Sequence, residues 1–98
     1  MRESENSFYL VSAGAYQRLD HDWIFGWMPK DGSVQFENLT NSKGVLVVSG
    51  PKARELMQRV SNDDFSNENF KWLSAKQVDV GFAPVNAMRV NFVGELGW

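Results

Sequence analysis

Residues 44–60 read GVLVVSGPKARELMQRV, and this stretch constrains the fold more than any other. Val45 to Val48 form an unbroken apolar run, with no alternate positions left for solvent. Such a run fits a strand covered on both faces. Gly50-Pro51 then ends it. Proline suits the first helical position because its missing N–H has no intrahelical partner there, and its ring presets the helical φ. Ala53, Leu56, Met57 and Val60 follow at steps of three, one and three, which places them on one face of a helix. A buried strand feeding an amphipathic helix requires further elements to cover both, so the rest of the chain is expected to supply a sheet.

The neighbouring segments alternate between the two periods. Phe8–Ala13 (FYLVSA) reads as a short β-branched and aromatic strand. From Ala15 to Met28 the apolar residues Tyr16, Leu19, Trp23 and Trp27, with Ile24 and Met28 beside them, recur at helical steps until Pro29 closes the helix. Asp31-Gly32 suits a tight reversal. Val34, Phe36 and Asn38 then alternate with Gln35, Glu37 and Leu39, as in a half-exposed strand, and a turn is expected at Asn41–Lys43 before the buried central strand. Beyond the second helix, Ser61–Ser74 is rich in Ser, Asn and Asp. It reads as a long ordered loop pinned by Phe65, Phe70, Trp72 and Leu73. Two alternating stretches, separated near Ala83-Pro84, complete the chain, the second running through Met88, Val90 and Phe92. The expected class is α+β: a split βαββαβ-like antiparallel or mixed sheet with two helices on one face.

Composition narrows the functions. A chain of 98 residues is enough for one domain with a modest core, and 43% hydrophobic residues, including four Trp and seven Phe, are ample to build it. Ten Lys and Arg against twelve Asp and Glu leave a net charge of -2, with no basic stripe, so nucleic acid is not an expected partner. The absence of cysteine removes disulfides, thiolate metal sites and cysteine nucleophiles. No apolar run is long enough to cross a bilayer, and MRESENSF lacks the apolar core of a signal peptide, so no membrane partner is expected.

Candidate chemistry is sparse. The one histidine, His21, sits between Asp20 and Asp22, but consecutive helical residues diverge and cannot converge on one ion, so a solvated helix face is the plainer reading. Ser61–Asp64 lacks the alternating oxygen ligands of a calcium loop and suits a turn or cap. The glycines around Val45–Gly50 lack a phosphate-cradle spacing, and Pro51 removes an N–H that a phosphate would use. No metal site and no Ser-His-Asp arrangement emerges. The ending, NFVGELGW, is the unusual part. Its two glycines permit a positive φ or the close approach of a ligand, and on its own it reads as a hairpin turn without a second strand.

Taken together, FYLVSA, DHDW, GVLVVSGPKARELM, WLSAKQ and above all MRVNFVGELGW, in this order, resemble the folate-binding region of the aminomethyltransferase (glycine-cleavage T-protein) family. The likeness spans essentially the whole chain and is greatest to the branch formed by the C-terminal halves of dimethylglycine and sarcosine dehydrogenases. It implies transfer of a one-carbon unit from an N-methyl amine to tetrahydrofolate. In the dehydrogenases FAD, held in a separate domain, first oxidises the amine. The resemblance puts Phe92 where the T-protein has a pocket tyrosine, Arg89 on an arginine three positions earlier, and Ser12 where many members carry an asparagine. These three are the implied folate contacts.

The family's catalytic aspartate lies upstream of RESENSFYLV and its pterin-binding glutamate just beyond the position of Trp98; Glu95 is not that ligand. Residues 1–98 are therefore expected to be part of a folate-binding domain truncated at both ends, without a catalytic residue of its own and inactive in isolation. The expected small-molecule partners are a folate and an amine donor. An unpaired sheet edge would favour a homodimer, and the expected location is the cytoplasm, or the mitochondrial matrix for a eukaryotic parent. The alternative is a non-catalytic binding or assembly module that keeps only the fold.

Overall fold

The computed structural model describes all residues from Met1 to Trp98, which divide into two compact units, Met1–Gly44 and Val45–Trp98. The first contains one helix, α1 (Gln17–Trp27), entered through a single 3-10 turn at Gly14–Tyr16. The second contains helix α2 (Ala53–Val60) and strands β1 (Ala75–Val80) and β2 (Ala83–Met88), paired antiparallel. Two helices and an antiparallel pair make the class α+β, as the sequence suggests.

In the first unit α1 forms within two residues of its expected bounds. Met28 gives its N–H to the Ile24 carbonyl at 3.0 Å, then turns extended ahead of Pro29. Its apolar face is correctly periodic but uncovered: Leu19, Trp23 and Trp27 are all about two-thirds exposed or more. The strand expected at Phe8–Ala13 does not form. Only Phe8 pairs, with Arg2, in a small loop that the terminal ammonium closes on the Tyr9 carbonyl at 2.7 Å. The strand at 34–39 is also missing. A strand needs a ladder partner to satisfy its backbone, and here the local donors are answered by turns instead. Asp31 accepts from the Ser33 N–H at 2.9 Å, Asn38 from the Thr40 N–H at 3.0 Å, and the Leu39 carbonyl from Ser42 and Lys43.

The second unit holds the core. Ala53 and Met57 of α2, Phe65 and Phe70 of the following loop, Val78 of β1, Ala87 of β2 and Trp98 form one buried cluster. Val48, Val80, Val85 and Leu96 pack on its margin. In the register Val78↔Val85 and Lys76↔Ala87, these side chains share one face of the hairpin, as a period of two demands. The reversal is Gly81-Phe82, with Gly81 at φ 61°, two residues earlier than the Ala83-Pro84 break expected from sequence. A two-residue loop with glycine first matches the twist of a hairpin. Proline is tolerated at position 84 because this strand is an edge.

Two expectations fail here. The run Val45–Val47, read as a buried central strand, is 71–92% exposed, because the unit supplies a cover for neither of its faces. Its ladder begins only at Val48, where the Val48 and Trp98 backbones exchange hydrogen bonds at 2.9 Å and the Gly50 N–H reaches the Leu96 carbonyl at 2.8 Å. The last strand also stops short: β2 ends at Met88, and Phe92 projects fully into solvent. Within these 98 residues the split βαββαβ sheet is thus reduced to β1–β2 and the short Val48–Gly50 pairing.

Candidate functional site

The densest side-chain chemistry surrounds Trp98. Its ring meets Phe65 edge-on at 5.3 Å between centroids and Phe70 at 6.0 Å, while Phe65 and Phe70 lie 5.4 Å apart. Both phenylalanines are completely buried. Aromatic contacts of this geometry each contribute about 0.5–1.5 kcal/mol beyond the area they bury. The guanidinium carbons of Arg54 and Arg89 each lie 5.8 Å from the Trp98 ring centroid, within cation–π range. Asn67 ties the two arginines together, its Oδ1 accepting Arg54 Nη2 and Arg89 Nη2, both at 2.7 Å. Arg54 Nε also donates to the Phe65 carbonyl at 2.8 Å, and Arg89 Nη1 to the Phe70 carbonyl.

The local sequence explains why the loop can present this surface. Gln58 at the end of α2 receives the Phe65 N–H on Oε1 at 2.9 Å and donates Nε2 to the Asp63 carbonyl at 2.8 Å. Asp64 accepts the Ser66 N–H at 2.7 Å and Asn69 Nδ2 at 2.5 Å. Those bonds stabilise the carboxylate, the Ser66 N–H foremost, and lower the Asp64 pKa. Asp63 Oδ2 reaches across to the Asp79 N–H at 2.9 Å and fastens the loop to β1. The expectation of an ordered loop holds for Phe65 and Phe70, whereas Trp72 and Leu73 are half or more exposed. Asp64 and Ser66 serve the loop's own turns, while Asp63 and Asn67 bind residues outside it.

Of the two uses expected of the terminal glycines, a positive φ is met at Gly94, and the close approach is found at Gly97 with a different partner. Gly94 adopts φ 77°, and a Cβ on Gly97 would lie 2.8 Å from the Val48 carbonyl oxygen. The close approach is therefore by the chain's own backbone. Only glycine lets residues 96–98 run beside Val48–Gly50 and seat Trp98 in the core.

The three implied folate contacts sit in unlike settings. Arg89 is half-buried and occupied with loop carbonyls and Asn67; Phe92 is fully exposed; Ser12 is exposed in the first unit. An open cleft of about 540 Å³ lies along α2, lined by Lys52, Arg54, Glu55, Gln58 and Arg59 among others, and a smaller one of about 340 Å³ lies beside His21 and Arg18. Neither contains Phe92, Arg89 or Ser12. A pterin requires an enclosed slot with a clamp and a carboxylate facing its N–H edge, and the residues of this chain alone do not fit that need.

His21 departs from the solvated-face reading. It stacks on Phe25 at 4.3 Å, meets Phe36 edge-on at 5.7 Å, and lies 3.5 Å from Asp22. No three His, Asp or Glu side chains gather as metal ligands. Sequence reasoning missed Arg54 and Asn67 altogether. The signal for Arg54 was its place one residue beyond the buried Ala53 on an amphipathic helix; nothing marked Asn67 within a loop full of asparagines.

Comparison with known proteins gives a consistent outcome. The family model described as the GCVT N-terminal domain matches residues 1–98. The chain is 37% identical over 97 residues to the mitochondrial dimethylglycine dehydrogenase of Homo sapiens, covering 98% of this chain and 11% of that protein. It is 33% identical over 96 residues to the mitochondrial sarcosine dehydrogenase of Homo sapiens, with 95% and 10% covered. To the mitochondrial pyruvate dehydrogenase phosphatase regulatory subunit of Mus musculus it is 26% identical over 98 residues, with 99% and 11% covered. The chain spans about a tenth of the length of these relatives. No helix is long and apolar enough to cross a membrane.

Proposed function

The chain belongs to the GCVT N-terminal domain family, and from that premise we propose that it is a segment of a folate-dependent aminomethyltransferase domain in a dimethylglycine-dehydrogenase-like enzyme. The observation that carries this reading is the family match over residues 1–98, together with identities of 33–37% to two N-methyl amine dehydrogenases. The parent would take a one-carbon unit from an N-methyl amine to tetrahydrofolate, with FAD in a separate domain, in the mitochondrial matrix or the cytoplasm. Phe92 and Arg89 are the folate contacts proposed for the second unit, and Ser12 is the one proposed for the first.

The uncovered apolar residues support the segment reading. Trp23 and Trp27 on α1, Val45–Val47, Phe82 and Phe92 are the faces that a larger domain would bury. The test compares 5,10-methylenetetrahydrofolate formation by this chain and by the full-length parent. Turnover by the parent alone is expected; turnover by the 98 residues alone would refute the segment reading. Phe92→Ala in the parent is expected to raise KM for folate.

A second reading has its own observation. One relative is named a regulatory subunit, so a GCVT-type chain can occur in a protein named for regulation and not for catalysis. A parent that binds no folate, judged by absent quenching of tryptophan fluorescence, would favour a binding or assembly role, including a homodimer through an exposed sheet edge.

A further inference from the structure

The arginines around Trp98 have no counter-charge. The ion pairs of the molecule are Arg18–Asp22 and, when the ring is protonated, His21–Asp22; no carboxylate lies within 4 Å of Arg54 or Arg89. Two guanidinium groups nevertheless converge on a single neutral oxygen, Asn67 Oδ1. Like charges brought to one acceptor repel, and a neutral amide offsets that repulsion poorly. Beside them, the indole Nε1–H of Trp98 is buried without a hydrogen-bond partner, in a residue only 8% exposed. Each guanidinium spends only part of its five-donor fork on Phe65, Phe70 and Asn67, so N–H groups remain to donate. Asn67 is exposed, so the residue that joins the two arginines lies at the surface.

A cluster with surplus donors and no anionic acceptor is chemically complementary to an oxyanion. We propose that Arg54 and Arg89, bridged by Asn67 at the rim of Trp98, form a binding site for a carboxylate or phosphate group. The site shares Arg89 with the folate reading but uses neither Phe92 nor Ser12, and because its test employs small oxyanions in place of folate it can fail while that reading stands. Binding would place the oxyanion between the two guanidiniums and hold the Phe65–Phe70 loop against the core.

The experiment follows thermal unfolding of the 98-residue chain at constant ionic strength while chloride is replaced by inorganic phosphate or by glutarate. A saturable rise in Tm of roughly 4–8 °C is expected with at least one of them. Phosphate alone would identify a phosphoryl ligand, and glutarate a carboxylate. Asn67→Asp places a carboxylate on the shared acceptor; it is expected to raise Tm in chloride and abolish the saturable response. Arg54→Gln and Arg89→Gln are expected to abolish the response as well. General salting effects would act alike on wild type and Asn67→Asp, so an unchanged response in Asn67→Asp, or no saturable response in wild type, would overturn the proposal. Because Asn67→Asp adds an attraction, its test does not depend on a variant that fails to fold.

Discussion

The two units have similar aromatic content and opposite outcomes. Val45–Trp98 gathers Phe65, Phe70 and Trp98 with two aliphatic faces into a closed core, while Met1–Gly44 has no buried residue despite two tryptophans and a well-formed helix. The difference is not in periodicity, since α1 and α2 both carry an apolar face at helical spacing. It lies in cover. Helix α2 has a hairpin and a returning C-terminal segment to pack on; α1 has only Phe36 and its own neighbours. An amphipathic face states a requirement for a partner without supplying one.

The comparison is sharpest at the tryptophans. Trp98→Ala removes the hub of the aromatic cluster and is expected to cost about 3–5 kcal/mol, enough to unfold the second unit. Trp23→Ala, from a side chain 67% exposed, is expected to change stability by less than about 0.5 kcal/mol. Denaturant titration with circular dichroism detection separates the two; equal costs would erase the distinction. Next in size, Gly97→Ala forces a Cβ against the Val48 carbonyl and should cost about 1–3 kcal/mol by pushing the terminal segment off Val48–Gly50. Gly44→Ala, where a Cβ meets nothing, is its control.

Gln58→Ala leaves the Phe65 N–H without its acceptor, and a loss of about 1–3 kcal/mol is expected in the same titration. The smallest effect is electrostatic. The folded pKa of Asp64 lies below its unfolded value, so its contribution is present above the unfolded pKa and lost as pH falls through the folded one, in the window below about pH 4. Asp64→Asn should flatten the acid limb of the second unit's stability profile slightly, solvent screening keeping the change small.

Sequence reasoning located both helices because their signals are local: a period of 3.6 residues, a proline that stops α1 and a Gly-Pro that starts α2. It also found the hairpin and the loop anchors Phe65 and Phe70, since alternation and turn chemistry are likewise local. It failed where the outcome depends on what lies opposite. Val45–Val47 carries the pattern of a doubly covered strand and stands exposed; Phe92 continues an alternating run but follows a strand that has ended. The site was legible only in part. Arg89 was singled out through resemblance, yet its bonds to Phe70 and Asn67 join residues 19 and 22 positions apart, and no spacing rule connects them.

The central claim is that the structural integrity of this chain resides in Val45–Trp98, closed around Trp98. Amide hydrogen exchange read residue by residue tests it most directly. Strong protection is expected at Val48, Gly50 and Trp98 and along β1–β2, with α1 exchanging near the rate of an isolated helix. Protection of the α1 amides equal to that of Val48 and Trp98 would contradict the account.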